Sequence, residues 1–309
     1  MKNNLANLRD RFMALNRSGS MPLPRIIHVE TRSQCNGRCH FCPASVTTDA
    51  RPDQLMPETL VDKIVKELAD LDYSNRLSFY NNNEPFLDKR IFDFISLARR
   101  ALPKAYLELK TNGINLTLDS ILKIFNSGLD MLYINDYSDK NVHRKNIEEI
   151  RQALSSIRRF GINGGNSHSP RIAIELRDIG EVLGSRAGKS PNKKESVNPY
   201  KSKICLRPCE MMTIDPNGDV SVCSEDYDCS IKMGNITQTT LHQVWSSEGW
   251  AAIRNRLLNG ERSCTTSCSK CDYRGHSMEI LEEYQVSRPL SALELGKRSK
   301  NFIHRFFLN

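Results

Sequence analysis

Residues 25–42 read RIIHVETRSQCNGRCHFC and join an apolar segment directly to a group of cysteines. The first part is rich in β-branched residues, which predicts a β-strand. Cys35, Cys39 and Cys42 then follow with C-x3-C-x2-C spacing. Thiolate is a soft ligand that suits zinc or an iron–sulfur cluster. Because a closed structural zinc site takes four ligands, three neighbouring thiolates predict a site that leaves one position for another ligand.

Further strands and helices alternate along the chain as far as residue 178. Apolar periodicity predicts strands at 75–81, 105–113, 129–136 and 171–178, and helices at 57–71, 88–102, 117–128 and 141–160. Repeated βα units of this kind predict parallel strands. No G-x-G-x-x-G follows the first strand, which argues against a dinucleotide-binding fold. We therefore expect a full or partial β/α barrel.

Polar clusters follow the predicted strands at the points where they end. They are the cysteine loop, NNNEP at 81–85, TNG at 111–113 and NDYSD at 135–139. In β/α barrels the chemistry collects at the carboxyl ends of the strands. The sequence therefore predicts an active site at this rim.

Composition narrows the class of protein. The chain has 309 residues, ten cysteines and a net charge of +8. No apolar run is long enough to span a membrane and no signal peptide is visible, so we expect a cytoplasmic protein whose cysteines bind metal rather than form disulfides. Much of the basic excess lies at 185–196 and 296–306. It favours a solvated surface, or a docking site for an acidic electron donor or anionic substrate, over a nucleic-acid groove.

The cysteine motif directly after the first strand, with Phe41 before the third cysteine, resembles that of the radical S-adenosylmethionine enzymes. The resemblance implies that Cys35, Cys39 and Cys42 hold a [4Fe–4S] cluster. S-adenosylmethionine binds the open iron of that cluster and is cleaved to a 5'-deoxyadenosyl radical, which abstracts hydrogen from a substrate. The residues NNEP stand where the family has GGEP, so two asparagines replace glycines. The positions that the resemblance assigns to cosubstrate binding are Phe41, Asn82, Asn83, Glu84, Thr111, Asn112, Asn135 and Arg186.

A second set of cysteines lies near the C-terminus. The spacing C-x12-G-x4-C from Cys205 to Cys223 resembles the SPASM/twitch extension of the same family. The resemblance implies one auxiliary [4Fe–4S] cluster, because the further cysteine run of the full form is absent, and its expected ligands are Cys205, Cys223, Cys268 and Cys271. Cys209 and Cys229 are interpreted as small buried residues. Cys264 is an alternative ligand, and a structural zinc site is the alternative for this region.

The expected fold class is α/β: a partial (β/α)6 TIM-like barrel followed by a small cysteine-rich twitch/SPASM-type domain. The expected divisions are an N-terminal helix at 1–24, the barrel at 25–190, the auxiliary-cluster domain at 191–277, and a C-terminal helix with a basic tail at 278–309.

The resemblance implies abstraction of a hydrogen atom from a C–H bond, then oxidation of the substrate radical through the auxiliary cluster. A sugar or aminocyclitol is the favoured substrate, and a flavodoxin- or ferredoxin-type protein is the expected electron donor. Asp226, Glu175 and Tyr137 are candidates for catalysis, although each is more often a structural residue. The alternatives are radical modification of a ribosomally made peptide and, from another class, a zinc-binding protein that contacts nucleic acid.

Overall fold

The computed structural model describes residues 2–139, 142–156, 171–193 and 200–276. The strands are β1 (Ile26–Val29), β2 (Arg76–Ser78), β3 (Tyr106–Thr111), β4 (Met131–Ser138), β5 (Arg171–Asp178), β6 (Met211–Ile214), β7 (Asp219–Ser221) and β8 (Lys232–Asn235). The helices are α1 (Lys2–Arg17), α2 (Glu58–Asp70), α3 (Ile91–Ala101), α4 (Leu118–Asn126), α5 (Lys145–Ser156), α6 (Arg207–Glu210), α7 (Leu241–Trp245), α8 (Glu248–Leu258) and α9 (Thr266–Lys270). The predicted C-terminal helix and tail at 278–309 lie outside the described residues.

All eight strands of the described chain form one sheet in the order β5-β4-β3-β2-β1-β6-β7-β8. Strands β1 to β6 pair in parallel, whereas β7 and β8 are antiparallel. The order ends at β5 on one side and β8 on the other, so the sheet is open. The prediction of an α/β fold with a partial barrel is confirmed.

The sixth parallel strand comes from the region predicted as the auxiliary domain. β6 pairs with β1 in register from Ile26 opposite Met211 to Val29 opposite Ile214. β1 therefore has a neighbour on each side, β2 and β6, and the cysteine-rich region continues the barrel sheet through β7 and β8.

The two faces of the sheet differ in polarity because successive strand residues point to opposite faces. One face carries residues such as Ile27, Leu77, Leu107 and Ile134, which join the buried core. Helix α2 covers that face with five buried residues, which are Leu60, Val61, Ile64, Val65 and Leu68. In a barrel the helices lie outside the strands, so the other face is the interior.

The inner face of the sheet carries polar and aromatic side chains. The ring of His28 lies edge-on to that of Tyr80, with 5.0 Å between centroids. The hydroxyl of Tyr80 donates to Glu108 Oε1 at 3.2 Å. This face therefore offers hydrogen-bonding groups below the rim where the cysteine loop begins.

No helix of the described residues is both long enough and apolar enough to cross a membrane.

Candidate active site

The first three cysteines occupy the loop that leaves β1. The amide of Gly37 donates to Cys35 Sγ at 3.3 Å, and a Cβ added at Gly37 would lie 3.3 Å from Cys35 Sγ and 3.7 Å from Cys39 Sγ. The amide of Cys42 donates to the carbonyl of Cys39 at 3.2 Å and folds the end of the loop back. Cys39 is buried, and Cys35 and Cys42 are half-buried. The loop thus directs sulfur atoms into one small space that glycine leaves open.

Burial keeps these thiols protonated in the absence of a metal. It raises the pKa of Cys39 to about 12, and the charges of Cys42 and Cys35 add to the effect. Burial likewise raises the pKa of Cys35 to about 12 and raises the pKa of Cys42. Since metal ligation requires the thiolate, cluster insertion must release protons here.

Glu84 joins the second and third strand ends to the cysteine loop. Its carboxylate accepts from the amide of Phe86 at 3.1 Å, from Thr111 Oγ1 at 2.8 Å and from the amide of Asn112 at 2.7 Å. The amide of Glu84 donates to the carbonyl of Gln34, immediately before Cys35. Burial raises the pKa of Glu84 to about 7. Glu84 therefore links three rim loops, two through its carboxylate and the cysteine loop through its backbone amide.

Asn112 reaches the first cysteine. Its Nδ2 donates to Asn36 Oδ1 at 2.9 Å and lies 3.6 Å from Cys35 Sγ. The TNG and NNEP segments thus meet beside the thiol group of Cys35.

Unsatisfied polar atoms mark the NNNE segment. Buried atoms without a hydrogen-bond partner include Asn81 Oδ1, Asn82 Nδ2, Asn83 Nδ2 and Arg186 Nε. Buried polar groups are nearly always paired, so these four point to a polar ligand. The amino and carboxylate groups of S-adenosylmethionine have the matching chemistry, and the residues present fit this cosubstrate.

Arg186 lies between the two predicted cluster sites. It donates through Nη2 to Asn82 Oδ1, and its Nη1 is 4.0 Å from Glu225 Oε1. Arg186, Ala187 and Gly188 all have positive φ, at 50°, 54° and 82°. Two non-glycine residues in this region carry backbone strain, which surrounding contacts must hold in place.

The remaining predicted cosubstrate residues lie near the end of β4. The ring of Phe41 packs against Tyr137 with centroids 5.2 Å apart. Asn135 is half-buried and pairs in register with Glu175 on β5. Asp136, between Asn135 and Tyr137, is fully buried and accepts from His143 and Arg144, so it holds the loop that enters α5.

The four predicted auxiliary ligands line one cavity. Its walls include Cys205, Cys223, Cys268 and Cys271, together with Arg207, Glu225, Arg262 and Tyr273. Burial raises the pKa of all four thiols, that of Cys268 and of Cys271 to about 12. Four thiols around one cavity fit a cluster with complete cysteine ligation.

The other three cysteines lie elsewhere. Cys209 is 2% exposed and packs in a separate apolar cluster with Leu8 and Phe12. Cys229 and Cys264 are half-buried and do not line the cavity. Cys264 is nevertheless a near neighbour of Cys268, whose pKa its charge raises.

The three catalytic candidates do not converge. Asp226 accepts from Ser221, Ser230 and the amide of Ile231, all within the cysteine-rich region. Glu175 has a side chain 63% exposed and lies 3.4 Å from Arg177. Burial raises the pKa of Tyr137, which keeps the phenol neutral. Of the two carboxylates, that of Asp226 is occupied by several donors, whereas that of Glu175 is exposed and lies near Arg177.

Two arginines that lie at these sites were not predicted from the sequence. Arg51 donates to Glu30 Oε1 at 2.7 Å, to the carbonyl of Ser33 at 2.7 Å and to that of Asn82 at 2.9 Å. It also lies over the ring of Tyr227, 4.6 Å from the centroid. Arg207 lines the auxiliary cavity with a buried, unpaired Nε. Neither belongs to a motif, and only the position of Arg51 soon after the cysteine loop could have indicated its role.

The basic segment after β5 is largely neutralised. Lys189 pairs with Asp228 at 2.6 Å, and Lys193 pairs with Asp272 at 2.8 Å. These ion pairs attach the segment to the cysteine-rich region, so part of the basic excess serves packing.

Comparison with known proteins agrees with this geometry. Residues 29–170 match the radical SAM superfamily model, and residues 205–272 match SPASM, an iron–sulfur cluster-binding domain. The S-adenosyl-L-methionine-dependent 2-deoxy-scyllo-inosamine dehydrogenase of Niallia circulans is 25% identical over 259 residues, which cover 84% of this chain and 96% of that enzyme.

Two solved structures share the fold. BtrN in complex with AdoMet and 2-DOIA superposes with a TM-score of 0.68 at 24% identity, over 82% of this chain and 94% of that one. The enzyme anSMEcpe with bound AdoMet gives 0.53 at 13% identity, over 81% and 86%. The two family-model matches, at residues 29–170 and 205–272, imply a cluster that binds S-adenosylmethionine and auxiliary iron–sulfur ligation. With a cysteine loop at the carboxyl end of β1 and four more cysteines around a second cavity, this chain carries a radical S-adenosylmethionine domain over residues 29–170 and a SPASM-type domain over residues 205–272.

Proposed function

We propose that this chain is a dehydrogenase that oxidises a secondary alcohol on a hydroxylated ring of the sugar or aminocyclitol class. The relative from Niallia circulans, named as a dehydrogenase of 2-deoxy-scyllo-inosamine, supports this reaction type. The observation that carries the proposal is the pairing of β1 with β6. β6 leads through a turn into the antiparallel strand β7, which ends just before Cys223. The first cysteine loop follows the carboxyl end of β1 and Cys223 lies near the amino end of that strand, so a substrate on the inner face of the barrel would lie between a donor and an acceptor of electrons.

The proposed reaction balances as follows. The carbinol carbon loses a hydrogen atom, its hydroxyl loses a proton, and one electron leaves, so that CH–OH becomes C=O. When bound, the first cluster with S-adenosylmethionine supplies hydrogen abstraction, and the auxiliary cluster supplies an acceptor for the electron. Cys35, Cys39 and Cys42 are the proposed ligands of the first cluster, and those of the second are Cys205, Cys223, Cys268 and Cys271.

The protein's own residues orient these groups. Asn82, Asn83 and Arg186 present unpaired atoms to the amino acid part of the cosubstrate. Glu84 and Asn112 hold the cysteine loop in register with β3. Glu175 is the candidate for accepting the hydroxyl proton, since it follows the inner face of β5 and stays exposed.

We further propose that the barrel spans 25–190 and the auxiliary domain 191–277, with β6 shared between them. A flavodoxin- or ferredoxin-type protein is the proposed electron donor, in the reducing cytoplasm.

Anaerobic reconstitution tests the proposal. The loaded protein should hold about eight iron atoms, and reduction with S-adenosylmethionine should release 5'-deoxyadenosine. A substrate deuterated at the carbinol carbon should transfer its label to that product and yield a ketone. A Cys35→Ala variant that still released 5'-deoxyadenosine would contradict the proposal.

A further inference from the structure

The side chain of Lys110 lies inside the barrel between two tyrosine rings. Its Nζ is 5.6 Å from the centroid of the Tyr80 ring and 5.2 Å from that of Tyr133. Across the described part of the chain, no carboxylate or carbonyl oxygen accepts a hydrogen bond from this ammonium group. An aromatic face attracts the positive charge of the ammonium group. It offers no oxygen lone pair to which the N–H groups could donate a hydrogen bond. Three N–H donors therefore face the interior.

His28 presents an acceptor to the same space. Its Nδ1 is 3.1 Å from the carbonyl oxygen of Tyr80, and a carbonyl can only accept, so Nδ1 carries the proton. Burial, with the charges of Lys110, Arg76 and Arg207, lowers the pKa of His28 to about 3. The imidazole is thus neutral, and its Nε2 accepts. Within the described residues no donor reaches Nε2.

Tyr80 places the two groups next to each other. Its ring lies 5.0 Å from that of His28 and beneath Nζ of Lys110. Lys110 and Asn112 are two residues apart and lie on the same face of β3 and its extension. Lys110 is therefore about 7 Å farther from the rim than Asn112, measured along the strand. Because Asn112 Nδ2 lies 3.6 Å from Cys35 Sγ, a ligand on Lys110 would sit beneath the first cysteine loop.

The cations Lys110, Arg76 and Arg207 act on His28, whereas the buried carboxylate of Glu30, two residues after His28, is already paired with Arg51. Glu108, the nearest carboxylate on β3, already accepts from Tyr80 and lies 3.6 Å from Arg76. The three charges that lower the pKa of His28 are all cationic. A substrate with an ammonium group at this place would be repelled, whereas an oxyanion would be attracted.

We propose that the inner face of the barrel binds a hydroxylated ring that carries an oxyanion, with the carboxylate or phosphate on Lys110 Nζ and a ring hydroxyl on His28 Nε2. This inference rests on the proposed function and narrows its substrate class from sugars and aminocyclitols to sugar acids and sugar or cyclitol phosphates. The ring itself packs against Tyr80 and Tyr133.

Calorimetry on the reconstituted enzyme with S-adenosylmethionine, under anaerobic conditions, tests this specificity. The probes are D-glucuronate and myo-inositol 1-phosphate as anions, myo-inositol as the neutral ring and 2-deoxy-scyllo-inosamine as the cation. We expect at least one anionic ring to bind more tightly than the neutral and cationic rings. Tighter binding of glucuronate or of the phosphate identifies which oxyanion the site takes.

Variants assign the specificity to one residue. Lys110→Met should weaken binding of the preferred anion by about tenfold or more, because a charge-assisted hydrogen bond is lost. Lys110→Arg should retain most of the affinity. Lys123→Met is the matched control, since Lys123 also lies over an aromatic ring, 4.3 Å from the centroid of Phe92, but is exposed on α4.

Three results overturn the inference: anion binding unchanged in Lys110→Met, binding of 2-deoxy-scyllo-inosamine at least as tight as that of both anions, or no binding of either anion. A separate measurement distinguishes failure of this inference from failure of the proposed function. Release of 5'-deoxyadenosine on reduction without any ring should be equal in the wild type and in the control variant Lys123→Met. Loss of that release in the wild type would instead refute the proposed function.

Discussion

Replacing Glu84 by alanine should damage both the stability of the chain and its hold on S-adenosylmethionine. The substitution removes the acceptor of the Phe86 amide, the Thr111 hydroxyl and the Asn112 amide. Thr111 and Asn112 are buried, so water cannot readily replace the carboxylate. The loop that carries Cys35 then loses the link to β3 that runs through the Glu84 carboxylate, and only the direct contact between Asn112 and Asn36 remains.

The size of the effect follows from these contacts. Each buried donor left without an acceptor costs about 1–3 kcal/mol. For the Thr111 hydroxyl and the Asn112 amide together, we expect Glu84→Ala to lose about 2–6 kcal/mol, a large share of the roughly 5–15 kcal/mol that holds a domain folded. Glu84→Gln should lose less, because its carbonyl oxygen can still accept from the Phe86 amide and the Thr111 hydroxyl, which leaves only the Asn112 amide without its acceptor.

Urea unfolding of the metal-free variants measures the first effect, and S-adenosylmethionine binding to the reconstituted proteins measures the second. Asp130→Ala is the control. Its carboxylate accepts from the Leu107 amide at 2.8 Å and from Arg99, but it precedes β4 at the opposite end of the sheet. Asp130→Ala should destabilise the fold yet keep normal cosubstrate affinity, whereas Glu84→Ala should weaken that affinity by about tenfold or more.

Equal cosubstrate affinity in Glu84→Ala and Asp130→Ala would refute this reasoning. So would equal loss of stability in Glu84→Gln and Glu84→Ala, since the polar contacts would then not be the cause.

Three further predictions concern separate parts of the site. Cys223→Ala should leave about four iron atoms per chain, whereas Cys264→Ala should keep about eight. Iron analysis after reconstitution measures both, and an equal loss of iron in the two variants would assign Cys264 as a ligand. Arg186→Lys, which lacks the planar fork that reaches Asn82, should weaken S-adenosylmethionine binding severalfold, and unchanged affinity by calorimetry would count against the contact. Unfolded His28 binds a proton below its ordinary pKa of 6.5, whereas the folded residue stays neutral down to about 3, so stability should fall as pH drops through that range. His28→Gln should reduce the loss of unfolding free energy between about pH 7 and 4.5 by on the order of a few kcal/mol, as measured by urea unfolding at both pH values. An unchanged dependence of stability on pH in this variant would show that His28 does not cause the loss.

Local pattern carried the prediction of the barrel strands and helices. β1, β2, β3 and β5 lie within the predicted segments, because alternating apolar residues and neighbouring helices leave one arrangement. β4 ends at Ser138, two residues past its predicted end at 136. The structure places α5 from Lys145, later than the predicted start at 141, because Asp136 accepts from the Arg144 amide and from His143 and so holds the preceding residues in a loop.

Long-range contacts limited what the sequence could predict. Nothing local indicates that Met211–Ile214 pairs with β1, since the two strands are far apart in sequence. Lys110 and His28 looked like ordinary strand residues, and only the register of neighbouring strands brings both to Tyr80. The cysteine ligand assignments remain predictions from motif spacing, to which the shared cavity lends physical support.

The pairing of β1 with β6 also determines at what stage of synthesis the clusters can be inserted. On the ribosome, the loop with Cys35 emerges long before Met211, so one side of β1 stays unpaired while most of the barrel is made. Contacts between such distant parts of a chain form late in folding. Iron delivered to the nascent chain would therefore meet an incomplete first site, and cluster loading should follow synthesis of the cysteine-rich region.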